Sequence, residues 1–208
     1  NMLLYAVTDR SWLNGRELSH DVERALKGSV TCVQLREKNL DDESFLKEAI
    51  IINKLCKKYG VPFIVNDNVE IAIKCGADGV HVGQSDIKGR DIRSMIGENK
   101  ILGISAGTVE EAIAAEKAGA DYIGVGAVFG TSTKKDARNL TVEKLKEITS
   151  AVSIPVVAIG GINSKNLMEL SGSGVDGVAV VSAIFASENP GQATALLLKL
   201  AREMITHG

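Results

Sequence analysis

Short, β-branched apolar runs alternate along this chain with longer segments in which apolar residues recur at helical spacing. "LLYAVT" (3–8) precedes a mixed segment from Glu17 to Lys27, and "TCVQL" (31–35) precedes "DDESFLKEAIIINKLCKKYG" (41–60). The second helical segment opens on acids and closes on Lys57, Lys58 and Gly60, the charge order that suits a helix dipole followed by a glycine cap. "PFIV" then leads into "NVEIAIKCG", "DGVHV" into a polar turn and "RDIRSMIG", and "KILGIS" into "TVEEAIAAEKAG". "DYIGVG" runs into a hydroxyl-rich loop and "TVEKLKEITSAV", "PVVAI" into "SKNLMELSGSG", and "DGVAVV" into a last segment ending near Met204. Strands this short and apolar on both faces, joined by helical crossovers, make a parallel sheet covered by helices. Eight such units in 208 residues predict one closed (β/α)8 TIM barrel of the α/β class spanning 1–208, with Asn1 ahead of Met2 read as a leftover residue outside the fold. The recurrent "CGAD", "AGAD" and "SGVD" steps lie before strands, where Gly ends a helix and the following turn feeds the sheet.

Composition narrows the function. The net charge is -2, so no global basic field points to nucleic acid or an anionic membrane, and any anion site must be local. Trp12 and sparse aromatics offer no platform for stacking nucleobases. Cys32, Cys56 and Cys75 are odd in number and irregularly spaced, which excludes a disulfide framework and a CxxC zinc site and predicts buried, reduced thiols in a cytoplasmic protein. The start lacks a secretory pattern, and no apolar run approaches the ~20 residues that span a bilayer.

Barrel enzymes carry their chemistry at the C-terminal ends of the strands, and the unusual polar residues gather there. Strand two ends in "QLREK" with Gln34, Arg36 and Lys38, strand three in "NDN" with Asn66 and Asp67, and strand four in "HVGQSD" with His81, Gln84 and Asp86. Strand five ends at Ser105, strand six opens "VFGTSTKKDA" (128–137), and strands seven and eight end in "GGIN" and "VVSAI". Asp67 has a plainer use as a helix cap and Asp86 as a turn former. Their carboxylates end adjacent strands, however, and two hard oxygen ligands with open positions suit a Mg2+ that also binds phosphate. His81, alone in an apolar run, is expected to be structural. Loops after strands seven and eight of barrels often bind phosphate through exposed amides, so Gly160, Gly161 and Ser182, with Thr131 and Thr133 near, predict a monophosphate site. Arg36, Lys38, Lys134 and a Mg2+ exceed what one phosphate needs, which points to a second, more highly charged group such as a diphosphate.

"YAVTD", "QLREK", "ND", "GVHVGQSD", "GIS", "DYIGVGAVFGTSTK", "AIGGI" and "AVVSAI", in this order across nearly the whole chain, resemble the thiamine-phosphate synthase family. The resemblance implies an enzyme that joins a hydroxymethylpyrimidine diphosphate to a thiazole phosphate, giving thiamine phosphate and diphosphate. Carried over residue by residue, it assigns Gln34, Leu35, Arg36, Glu37, Lys38, Asn66, Ser105 and Lys134 to the pyrimidine diphosphate, and Asp67 and Asp86 to Mg2+. Thr131, Ser132, Thr133, Gly161, Val181 and Ser182 fall to the thiazole phosphate, and Arg36, Lys38, Ser105 and Lys134 to catalysis. Gly130 departs from a proline common in relatives, which gives this loop more backbone freedom. Two rivals stand beside this reading. A thiazole tautomerase would need a placed general base such as histidine rather than the carboxylates and cations, and a non-catalytic sensor would have no need of a leaving-group site.

Overall fold

The computed structural model describes residues 2–130 and 140–206. Eight parallel strands close into a barrel in chain order: β1 (Leu4–Val7), β2 (Cys32–Leu35), β3 (Phe63–Asn66), β4 (Gly79–Val82), β5 (Ile101–Ala106), β6 (Tyr122–Gly126), β7 (Val156–Ile159) and β8 (Gly177–Val180), which pairs back onto β1. The helices α1 (Leu18–Lys27), α2 (Asp42–Tyr59), α3 (Val69–Lys74), α4 (Ile92–Ile96), α5 (Val109–Lys117) and α6 (Val142–Ala151) follow the first six strands in turn. Two segments differ from the expected strand–helix unit. After β7, the stretch containing "LMEL" makes only a 3-10 turn, Leu167–Leu170, because a Ser/Gly run follows at once and no second helical turn can form. After β8, the final segment splits into α7 (Ser182–Phe185) and α8 (Pro190–Thr206), divided where Pro190 removes an N–H and starts a fresh helix.

The period of two along each strand sorts side chains between two cores. Leu4, Val33, Leu35, Phe63, Val65, Val80, Val82, Leu102 and Ile104 face outward into the layer shared with the helices. Tyr5, Val7, Cys32, Ile64, Tyr122, Val157 and Ala179 fill the barrel interior. α2 shows how the outer layer is met. Asp41 caps it by accepting from the Ser44 N–H at 2.9 Å, a bond that contributes about 1 kcal/mol, and Phe45, Ala49, Ile52, Asn53 and Cys56 recur at helical spacing on its buried face.

The opposite, N-terminal rim carries a device repeated four times. Leu4 N–H donates to Thr31 Oγ1 at 2.9 Å, Phe63 N–H to Asp78 Oδ2 at 2.8 Å, Leu102 N–H to Asp121 Oδ2 at 2.7 Å and Val156 N–H to Asp176 Oδ2 at 2.8 Å. In every case the main-chain N–H of the later residue donates back to the carbonyl of the earlier one. Each latch is set up two residues upstream by a left-handed position, Ser29, Gly76, Gly119 or Gly174, which is why the "GAD" and "GVD" steps recur.

Arg16 clamps the chain near the other rim. Its Nε meets Asp21 Oδ2 at 2.8 Å, and its Nη2 donates to the carbonyls of Trp12 at 3.2 Å and Phe185 at 3.0 Å. Asp21 is fully buried, with Arg16 as its near cation and Arg24 Nη1 4.0 Å from its other oxygen. Asp21→Asn leaves Arg16 without its counter-charge in a mostly dry setting, and unfolding by urea is expected to show a loss of about 3 kcal/mol. A loss well under 1 kcal/mol would mean the guanidinium is satisfied by the two carbonyls alone.

Among the described residues, no helix is long and apolar enough to cross a membrane. Cys32, Cys56 and Cys75 are unpaired. Cys32 and Cys56 are buried as expected, and burial pushes the Cys56 thiol up to about 12. Cys75 departs from the expectation: it lies half-buried at the end of α3.

Candidate active site

The C-terminal rim gathers the polar residues that end the strands. Gln34 points into the barrel from β2 and donates through Nε2 to Tyr5 Oη at 2.8 Å. Leu35, one step on, faces the other way and is fully buried against the helices, so only its main chain is presented to the rim. Arg36 is tethered to the end of β1: its N–H donates to Thr8 Oγ1 at 3.0 Å and its guanidinium lies 3.3 Å from Asp9 Oδ2. The Glu37 side chain turns inward to Arg10, 2.8 Å away, and Arg10 also meets Glu48 at 2.7 Å. Burial raises the Glu37 carboxyl above its usual range, against the pull of Arg10. Thr8, Asp9 and Arg10 are thus supporting residues that sequence reasoning missed, although "YAVTD" contained the first two.

Lys38 Nζ lies 2.7 Å from Asp67 Oδ2, and both side chains are substantially exposed. Asn66 ends β3 in register with His81 of β4, and the Asp67 N–H donates to the His81 carbonyl at 2.8 Å. Asp67 has a left-handed φ of 62°, a region Asp tolerates better than most residues. The helix-cap reading of Asp67 does not hold, because Asn68 caps α3 by accepting from Ile71 at 3.0 Å. The turn reading of Asp86 does hold for one oxygen: Oδ2 accepts from the Gly83 N–H at 2.8 Å. Asp67 directly follows β3, and Asp86 folds back onto the residue that follows β4. Each carboxylate has a second oxygen not used in these contacts. Among the described residues, no three His, Cys, Asp or Glu side chains cluster as a metal cage. Two hard carboxylates with the remaining positions left to water and phosphate are the donor set Mg2+ takes, so these residues fit that ion.

Ser105 sits on β5 facing the interior. His81 Nε2 lies 2.9 Å from its Oγ, His81 Nδ1 2.9 Å from Tyr122 Oη, and Gln84 Nε2 donates to the Ser105 carbonyl at 2.7 Å. His81, expected to be structural, is buried and in direct contact with a predicted site residue.

Gly161 follows β7 with a φ of 66°, and its carbonyl accepts from Asn163 Nδ2 at 3.1 Å and Asn166 Nδ2 at 3.0 Å. A Cβ there would run into the carbonyls of Phe129 and Gly130, so only glycine lets this turn lie against the loop leaving β6. Val181 packs at the edge of the interior cluster and precedes α7, whose first N–H groups, at Ser182 and Ala183, have no partner within the helix. Thr131, Ser132, Thr133 and Lys134 lie outside the described residues.

The rim thus gathers cationic, carboxylate, hydroxyl and glycine-turn groups from strands far apart in sequence. The thiamine monophosphate synthase family model matches residues 4–184. A thiamine-phosphate synthase of Clostridium botulinum is 50% identical over 186 residues, covering 89% of this chain and 87% of the relative. One from Clostridioides difficile is 52% identical over 186 residues, covering 89% of each chain. The solved thiamine phosphate pyrophosphorylase of Pyrococcus furiosus superposes with a TM-score of 0.90 at 39% identity, over 98% of this chain and 97% of that one. Matched through every strand that carries the rim, this chain belongs to the thiamine monophosphate synthase family.

Proposed function

We propose that this chain joins 4-amino-2-methyl-5-(diphosphooxymethyl)pyrimidine to a thiazole phosphate, giving thiamine phosphate and diphosphate, in the cytoplasm. One observation carries the reading beyond family membership. Arg36, Lys38, Asp67, Asp86 and Ser105 end β2 to β5, while the phosphate-type turns at Gly161 and Ser182 end β7 and β8. One barrel mouth thus offers two separate places for anions.

The reaction breaks the bond between the pyrimidine methylene carbon and the diphosphate oxygen. The bonding pair leaves with diphosphate, and the thiazole nitrogen lone pair forms the new C–N bond. The aminopyrimidine ring spreads the positive charge of the methylene between these events, so no side chain needs to bond covalently. Arg36, Lys38 and Lys134 neutralise the departing diphosphate, while Gln34, Asn66 and Ser105 hold the pyrimidine. Asp67 and Asp86 would hold Mg2+, which supplies further neutralisation of diphosphate charge when bound. The exposed Lys38–Asp67 pair contributes little to stability, so Lys38 can exchange its carboxylate for a phosphate oxygen at small cost. The tautomerase reading loses support, because both ring nitrogens of its one candidate base, His81, already meet protein oxygens at 2.9 Å. Free, largely buried cysteines suit a reducing compartment.

The test mixes the purified protein with both substrates and Mg2+ and follows diphosphate and thiamine phosphate. Diphosphate formed in step with thiamine phosphate is the expected result; isomerised thiazole alone, or binding without turnover, would replace this reading. The two anion places separate by mutation. Arg36→Ala is expected to weaken the pyrimidine diphosphate about tenfold or more and leave the thiazole phosphate near its original affinity, with Ser182→Ala doing the reverse. Apparent affinities for both substrates in each variant check this, and a crossed pattern would reassign the loops.

A further inference from the structure

Five side chains from five strands form an unbroken line of hydrogen bonds through the barrel interior. Gln34 Nε2 meets Tyr5 Oη at 2.8 Å, Tyr5 Oη meets Tyr122 Oη at 2.9 Å, Tyr122 Oη meets His81 Nδ1 at 2.9 Å, and His81 Nε2 meets Ser105 Oγ at 2.9 Å. Tyr5 and Tyr122 are 1% exposed, Gln34 5% and His81 9%, so water has little access to complete or reverse these bonds. We propose that this line runs in one direction and makes His81 a positioning residue, held as the Nε2–H tautomer so that the Ser105 hydroxyl proton is directed at the bound pyrimidine diphosphate.

The direction follows from the inventory of donors. The Gln34 amide nitrogen can only donate, so Tyr5 accepts there. Burial pushes both tyrosine hydroxyls well above their usual range, which keeps each as a neutral group with one proton to give. If Tyr5 gives its proton to Tyr122, the Tyr122 proton finds its acceptor in His81 Nδ1, the other atom within hydrogen-bond distance of that buried hydroxyl. The ring proton then sits on Nε2, which donates to Ser105 Oγ, and the serine proton is left to point outward. If the line ran the other way, Ser105 would spend its proton on His81, and the Tyr5 proton would be left to the Cys32 thiol, a weak acceptor.

The surroundings fit a built arrangement. A Cβ on Gly103 would strike the Tyr122 ring and hydroxyl and come within 2.5 Å of His81 Nδ1, and one on Gly124 would stand 3.0 Å from His81 Cε1. Two glycines on β5 and β6 therefore make the room for this pair of rings. Ser105 is fixed a second time by the bond from Gln84 to its carbonyl at 2.7 Å.

This inference rests on the proposed reaction only for its kinetic part. Nitrogen NMR of histidine-labelled wild-type protein without substrates, with the His81 signals assigned by their loss in His81→Gln, reads the tautomer directly. The expected result is a protonated Nε2 and a hydrogen-bonded, unprotonated Nδ1; a proton on Nδ1 would overturn the direction whatever the enzyme does. Tyr122→Phe keeps the ring but removes the donor to Nδ1. It is expected to lower kcat about tenfold with little change in KM for the pyrimidine, the cost of one hydrogen bond appearing in the transition state. His81→Gln can still offer an N–H to Ser105 and should retain more activity than His81→Leu. Equal loss in those two variants at equal urea midpoints would mean His81 only fills space. A wild-type protein inert toward both substrates would count against the proposed reaction and leave the tautomer measurement standing as its own test.

Discussion

Asp67→Asn is expected to lower turnover by about a hundredfold or more at limiting Mg2+ while the protein stays folded. The substitution preserves shape and removes one negative charge from a pair of carboxylates at adjacent strand ends. Asparagine accepts the left-handed φ of 62° at least as readily as aspartate, so the backbone has no reason to move. The lost contact with Lys38 joins two substantially exposed groups and contributes under about 1 kcal/mol. Any loss of activity is therefore electrostatic. Steady-state diphosphate release measured against Mg2+ concentration should show partial recovery as the ion is raised, with an unchanged urea midpoint. Near-normal turnover of the folded variant at limiting Mg2+ would remove Asp67 from the metal site.

Lys134→Ala is expected to cost a comparable amount, and to cost it in kcat. If bond breaking precedes attack, negative charge builds on the diphosphate beyond what the bound substrate carries. A cation beside it then lowers the barrier more than it tightens ground-state binding. The loss should be about a hundredfold in kcat with a much smaller change in the pyrimidine KM. Lys135, the next residue, has no role assigned by the family resemblance and should tolerate Ala with little effect. Equal losses at both lysines would reduce the pair to a diffuse basic patch, and a raised KM at normal kcat would move Lys134 from departure of diphosphate to capture of substrate.

The strands and most helices were legible because each is specified locally. An apolar run of four to six residues between turn signals reads as a buried strand, and α2 announces both its ends by charge. The closed order of strands was legible from their number alone. The fate of "SKNLMELSGSG" was not, since its apolar spacing suits a helix and only the immediate Ser/Gly run limits it to one turn. In the rim, residue types at strand ends identified the region, but not which way each side chain turns. Leu35 follows Gln34 yet belongs to the outer core, and Glu37 follows Arg36 yet turns to Arg10. The Tyr5–Tyr122 contact joins residues 117 apart, and the ends of β1 and β6 meet only when the barrel closes. No periodicity could forecast it, and with it the link from His81 to Ser105 was hidden.

The four reciprocal latches at the N-terminal rim divide the barrel in a way its eight strands do not. Each joins an odd strand to the even strand that follows it, through the turn that enters the even strand, so the unit closed on itself is a strand–crossover–strand quarter. Between β4 and β5 no such latch crosses, and the exposed residues 88–90 lie in that gap. Divided there, the chain gives two half-barrels with two complete latches each, the layout that gene duplication of a half-barrel, or a circular permutation between halves, would leave intact. The proposed chemistry splits along the same line. Arg36, Lys38, Asp67 and Asp86, the groups proposed to hold the diphosphate and its metal, belong to the first half, whereas the turns at Gly161 and Ser182 belong to the second. Ser105 and Lys134, both proposed to act on the pyrimidine diphosphate, come from the second half of the sequence, so the proposed bond breaking is the step that requires the two halves to be joined in register.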